Sequence, residues 1–201
     1  MKTGANEIRS IDADLKIEKR ALNDGVSTVI VGYASVFNRE SENLGGFVEI
    51  IEPGAFRDAI MKDDVRALFN HDDNLVLGRV KSRTLEMSED ELGLRVSIVP
   101  PETTYARDLM AVMARGDVSQ MSFAFTLDRE DQEWTEDKTR GLYVRKIKRI
   151  RRLYDVSVVT NPAYPDTTVA ASQLRSIKEI SNKIVLPVSL VRMASLKTAL
   201  W

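Results

Sequence analysis

The strongest constraint on the fold is a recurrence of short β-type runs through the first two thirds of the chain. "DLKIEKR", "STVIVGYASVF", "VRALFN", "VLGRVKSRTLEM" and "LGLRVSIV" are rich in β-branched and aromatic residues, alternate apolar with polar positions, and have Gly or Asp nearby. Two helical stretches interrupt them. One is opened by Pro53 and Gly54 in "PGAFRDAIM"; the other is "TTYARDLMAVMARG", with Thr103 or Thr104 as cap and Gly116 as terminator. In the second, Leu109, Val112 and Met113 share one face at helical spacing, which predicts packing on a sheet. The charged segment "DREDQEWTEDKTRG" reads as an exposed, mobile hairpin loop. "LYVRKIKRIRRLYDVSVVT" resumes strand character and stops at Asn161-Pro162. The predicted class is mainly β with helices (α+β): a compact, mostly antiparallel β-barrel flanked by α-helices. Residues 1–11 are expected to be a flexible N-terminus, 12–175 one domain with a helix over 167–180, and 176–201 a C-terminal tail.

Composition narrows the function. With 29 basic and 30 acidic residues the formal charge is −1, so no global field recommends nucleic acid or an acidic membrane as main partner. Cysteine is absent, which removes disulfides, thiolate nucleophiles and cysteine-containing zinc sites. A covalent nucleophile would be Ser, Thr, Lys or a carboxylate. No signal-peptide stretch and no run of about 18 apolar residues occurs, so a soluble, intracellular protein with no membrane partner is expected.

The single histidine, His71, sits in "ALFNHDDN". Strand alternation places it with Val65, Ala67 and Phe69 at a strand end, where a hydrogen-bonded structural histidine is the plain alternative to a working base. Asp72 and Asp73 follow it, but no spaced oxygen-ligand loop does, so no metal is expected. In "QMSFAFTL", Met121, Phe123, Phe125 and Leu127 share one face and Ser122, Ala124 and Thr126 the other. That small-residue face is either a plain solvent face or a shallow surface on which an extended peptide lies over Ala124 and Thr126, beside a reactive Ser122. In "LYDVSVVT", Asp155 shares a face with Ser157 and Val159. It is either an aspartate in water, paired with Arg151 or Arg152, or a buried carboxylate in need of a partner such as an imidazole N–H. Ser122, His71 and Asp155 together fit a nucleophile, its base and the base's orienter. Their chain order, His71, Ser122, Asp155, and the missing G-x-S-x-G elbow disfavour the chymotrypsin, subtilisin and α/β-hydrolase folds.

"NHD" closing a strand, "SQMSFAF" after a helix and "LYDVSVVTNPAYPDT" closing the domain, with "GYASVFN" and "EPGAF" before them, resemble the tailed-bacteriophage prohead (capsid maturation) serine protease family, a distant relative of the herpesvirus assemblins. The resemblance covers residues 12–175. It implies a herpesvirus-protease-like barrel and a serine endopeptidase, without cofactor, that cleaves scaffold and major capsid protein precursor in the immature procapsid within the bacterial host cytoplasm. It implies Ser122 as nucleophile and His71 as base. Asp155 stands where phage members often carry Glu and where herpesvirus enzymes use a second histidine, which this chain lacks; Asp72 and Asp73 stay open as third members. The assemblin likeness leaves a homodimer open, and the "TNPAYPDT" turn is the guess for an oxyanion hole. A non-catalytic scaffolding or capsid-binding module of the same fold is the alternative, and a metal hydrolase on Asp72, Asp73 and His71 ranks last.

"RKIKRIRR", six basic residues in eight, is either the solvated face of a strand or a docking surface for acidic partners. "IVLPVSLVRMASLKTALW" is either a targeting tail removed by self-cleavage or a packed helix.

Overall fold

The computed structural model describes residues 6–13, 15–22 and 25–161 of the 201. The chain divides into two units, Met1–Asp166 and Thr167–Trp201, and all described residues belong to the first. The helix expected over 167–180, the tail over 176–201 and most of the "TNPAYPDT" turn lie outside the described residues.

The apolar alternation resolves into three sheets. Strands β1 (Glu7–Asp12), β9 (Gln120–Thr126), β12 (Arg152–Val159), β5 (Arg66–Phe69) and β6 (Asp72–Arg79) form the first, in that order. The second holds β10 (Gln132–Asp137), β11 (Leu142–Ile147) and β4 (Phe47–Ile51); the third holds β2 (Lys16–Leu22), β3 (Gly25–Val36), β8 (Gly93–Ile98) and β7 (Leu85–Glu89). Two pairings, β12 with β5 and β11 with β4, are parallel, and the others are antiparallel. The molecule is therefore mostly β, as expected, but the described strands do not close into one barrel. Each sheet keeps two edge strands, and β12, β3 and the β5–β6 pair carry bulges.

Two expectations about boundaries change. Part of the stretch expected to be a flexible N-terminus forms β1, which pairs with β9 along its whole length. The charged segment expected to be a loop is a hairpin whose first arm is β10, paired residue for residue with β11. Its polarity misled because β10 alternates half-buried Gln132 and Trp134 with exposed charges.

The core lies on one face of the first sheet. Met121, Phe123 and Phe125 of β9 and Val156 and Val158 of β12 are buried there, with Phe123 edge-on to Phe56 at 5.3 Å and stacked with Phe125 at 5.1 Å. Helix α1 (Arg57–Lys62) follows the turn at Pro53 and Gly54 and buries Ala59. Helix α2 (Thr104–Ala114), with Thr103 as N-cap, buries Ala106, Leu109 and Met113, and Gly116 at φ +84° ends it in the left-handed region that glycine adopts without steric cost.

Most of the basic run is neutralised within the fold rather than presented as one solvated face or docking surface. Arg145 of β11 is fully buried. It donates to Glu7 at 2.6 and 2.8 Å and to Glu49 at 2.7 Å, while Arg9 bridges the same two carboxylates. Gln132 Oε1 accepts from Arg145 Nε, and the guanidinium lies over Trp134. Two cations and two anions thus join β1 to β4 and β11, with the hydrogen bonds that a buried ion pair requires. Further along, Arg149 and Arg151 both bond Asp131, and Lys148 pairs with Glu133. Burial alone pushes the Glu7 carboxyl up, but Arg145 and then Arg9 outweigh it and hold it below its ordinary value. A depressed carboxyl adds stability that is fully present above the ordinary carboxyl range and is lost as pH falls through the depressed value.

Arg145→Met is accordingly expected to cost about 3–5 kcal/mol, because it leaves a buried carboxylate without its counter-charge. The acid-side loss of stability should also be shallower than in the parent. Urea titrations between neutral and acid pH test both; a cost under about 1 kcal/mol would mean that water already solvates the cluster.

Candidate active site

The five-stranded sheet has a second face, opposite the aromatic core, and three chain-distant residues meet on it. Ser122 of β9 lies opposite Ser157 of β12, and Asp155 lies opposite Ala124. Residues directly opposite one another across a pair of strands share a face, so Ser122, Ala124, Asp155 and Ser157 all point away from Phe123 and Val156. The sequence alternation anticipates both faces correctly.

His71 arrives by a different route. β5 and β6 are joined by a two-residue turn, Asn70-His71, between the paired residues Phe69 and Asp72. Both turn residues have positive φ, +55° and +56°, the combination that a tight primed hairpin uses. For residues other than glycine this region costs roughly 1–2 kcal/mol each, although Asn and His tolerate it better than most. Three hydrogen bonds offset the strain. Asn70 N–H donates to the Val158 carbonyl at 2.9 Å, and Asn70 Oδ1 accepts from Thr160 N–H at 2.9 Å and Thr160 Oγ–H at 3.3 Å. The turn is thereby fastened to the end of β12, the strand that carries Asp155. It also swings the imidazole off the face of Val65, Ala67 and Phe69, where alternation places it, onto the face of Ser122. That expectation fails because a strand's period does not run through a left-handed turn.

The resulting geometry is a continuous line. His71 Nδ1 lies 2.6 Å from Asp155 Oδ1 and Nε2 lies 2.7 Å from Ser122 Oγ. With the proton on Nδ1, the ring donates to the carboxylate and presents its Nε2 lone pair to the serine O–H, the arrangement a general base requires. Ser157, to which the sequence reading gives no role, belongs to the cluster. Its Oγ–H donates to Asp155 Oδ1 at 2.6 Å, and its oxygen is 3.2 Å from Nδ1. The signal for it is the i, i+2 spacing from Asp155 on a strand.

The other candidates fall elsewhere. Asp72 Oδ1 accepts from the backbone and side-chain amides of Asn74, and Asp73 is exposed. Arg151 pairs with Asp131 and Arg152 lies over Tyr154, so neither is the partner of Asp155. No group of three or more His, Asp or Glu side chains among the described residues could hold a metal ion. Of the turn guessed to be an oxyanion hole, Thr160 N–H is engaged by Asn70. Ala124 and Thr126 share the face of Ser122, but that face is not an open shallow surface. Ser122 is fully buried, Ala124 is 2% exposed and Thr126 7%. The His71 and Asp155 side chains are 17% and 12% exposed.

Comparison with known proteins identifies the family. The prohead protease of Enterobacteria phage HK97 is 33% identical over 173 residues, covering 82% of this chain and 71% of the relative. The bacteriophage T4 capsid assembly protease superposes with a TM-score of 0.54 at 10% identity, covering 81% of this chain and all of that structure, so the fold is shared well beyond detectable sequence similarity. A family model described as caudovirus prohead serine protease matches residues 13–183, and the chain belongs to that family.

Proposed function

We propose that the chain is the serine endopeptidase of prohead maturation, cleaving scaffold and major capsid protein precursor, and itself, inside the procapsid. The observation that carries the assignment of roles is the line Ser122 Oγ, His71 Nε2, His71 Nδ1, Asp155 Oδ1, with both links at 2.7 Å or less. Ser122 Oγ attacks the scissile carbonyl carbon as its proton passes to His71 Nε2. Asp155 holds the Nδ1–H tautomer and stabilises the imidazolium. Collapse of the tetrahedral intermediate breaks the C–N bond, and Nε2–H protonates the departing amine. Water then hydrolyses the acyl-enzyme through the same base. Ser157 fixes the carboxylate so that Oδ1 faces the ring. Ala124 and Thr126, small and beside the nucleophile, form the floor for the substrate backbone. Because Ser122 is buried, a peptide reaches it only after a covering group moves, as in enzymes gated by a conformational step. The assemblin likeness adds a homodimer to this reading, which sedimentation would reveal.

Ser122→Ala and His71→Ala are each expected to lower cleavage of the capsid protein precursor by about 10⁴-fold or more, with the fold intact by circular dichroism. Intact mass spectrometry of the parent and of Ser122→Ala should differ if residues 176–201 are trimmed by self-cleavage. Precursor cleavage that survives in Ser122→Ala would overturn the assignment and leave a capsid-binding module.

Asn70 presents the base without touching the reaction. Asn70→Ala should lower kcat by roughly 10- to 100-fold with KM nearly unchanged, as two hydrogen bonds to Thr160 are lost from a strained turn. Asn70→Gly relieves the φ cost and should separate stability, largely restored, from kcat, still reduced. Equal kcat for Asn70→Gly and the parent would show that the clamp does not position His71.

A further inference from the structure

Beyond the reactive line, a cavity of about 370 Å³ lies where the parallel strands β5 and β12 begin, lined by Lys62, Asp63, Asp64, Arg66, Arg152, Leu153 and Tyr154. Arg66 is directly opposite Asp155 in the parallel β12–β5 pair, so it shares the face of the reactive residues. Arg152 lies opposite Thr126 and shares it too. The wall holds three cations and two carboxylates, and both carboxylates already accept hydrogen bonds within the fold. Asp63 Oδ2 accepts from Leu153 N–H at 2.9 Å. Asp64 takes the Arg79 guanidinium on Oδ2 and Lys81 N–H on Oδ1. Lys62 Nζ donates to the Arg151 carbonyl and pairs with no carboxylate among the described residues.

The two guanidinium groups are different from those of the buried clusters. Among the described residues neither Arg66 nor Arg152 makes an ion pair. Arg152 lies over the Tyr154 ring at 4.8 Å, and Arg66 feels Asp64 only at longer range. In a chain where Arg9, Arg145, Arg149 and Arg151 are all neutralised internally, two uncommitted forks at one polar cavity are what a carboxylate from another segment would meet. Arg66 is two strands and two residues from Ser122, roughly 12 Å at about 4.8 Å per strand and 3.4 Å per residue, which is three to four residues of extended chain.

We propose that this cavity is a substrate subsite that accepts an acidic side chain of the polypeptide three or four residues from the scissile bond, held by Arg66 and Arg152. The proposal rests on the peptidase reading of Ser122 and deepens it. A carboxylate on an extended strand is favoured over a nucleic-acid phosphate because Arg66 and Arg152 stand in register with the reactive strands and the chain carries no net positive charge.

The test uses labelled decapeptides spanning a cleavage junction mapped in a precursor digest, with Glu or Gln placed third and fourth from the scissile bond on either side. Binding is measured on the full-length Ser122→Ala protein, and turnover on the parent. A Glu peptide should bind at least 10-fold more tightly than its Gln counterpart at one of these positions. Arg66→Gln and Arg152→Gln should each erase most of that ratio through KM while leaving the Gln peptide within about 2-fold. Arg66→Lys, which keeps the charge and loses the fork, should retain part of it. Equal binding of Glu and Gln peptides to the Ser122→Ala protein, or an equal loss on both in the arginine variants, overturns the subsite. Selective binding without turnover by the parent would instead leave the subsite standing and remove the peptidase reading.

Discussion

Everything at the reactive face depends on the position of β12 between β9 and β5. One neighbour is antiparallel and supplies Ser122; the other is parallel and delivers the Asn70-His71 turn to the end of the strand that carries Asp155 and Ser157. A parallel neighbour requires a long crossover, and here the 82 residues between the end of β5 and the start of β12 include α2, β9 and the β10–β11 hairpin. The serine is thus delivered inside the very connection that makes the parallel pair possible. At this face the strain lies in two turn residues and is met by hydrogen bonds to β12 and the residue that follows it, so the structure that forces the imidazole across also fixes its distance from the carboxylate.

The buried charge clusters act at one remove. Glu7, Arg9, Glu49 and Arg145 hold β1, the strand beside β9, against the second sheet, on the side away from Ser122. Pairs of this kind contribute little net stability over an apolar packing but tolerate few alternative arrangements, because any slip leaves a charge unpaired in a dry interior. They fix the register of β1 on β9, and with it the alignment of the strand that carries Ser122.

How far the sequence could be read follows the same physics. Period-two alternation over "QMSFAFTL" and "LYDVSVV" identifies the correct faces of β9 and β12, and so puts Ser122 and Asp155 on the side of the sheet that they occupy, because side-chain direction in a regular strand is a local property. Alternation puts His71 on the wrong face, since its orientation comes from two left-handed dihedrals that alternation does not encode. "RKIKRIRR" looked solvated because partners for Arg145 lie at Glu7 and Glu49, distant in sequence. Likewise "DREDQEWTED" looked like a loop because an edge strand with one wet face carries its charges outward. Closure into a barrel depends on which strand edges meet, and no single run contains that information.

The central claim is that one imidazole, held in the Nδ1–H form by Asp155, presents a bare Nε2 to Ser122. His71 is the only histidine, so nitrogen-15 NMR of protein labelled at histidine reads that ring without assignment. In the neutral ring the account predicts a protonated Nδ1 with a far-downfield proton, an unprotonated Nε2, and loss of the downfield proton in Asp155→Ala. A ring protonated at Nε2, or a solvent-like mixture of tautomers indifferent to Asp155, would contradict it.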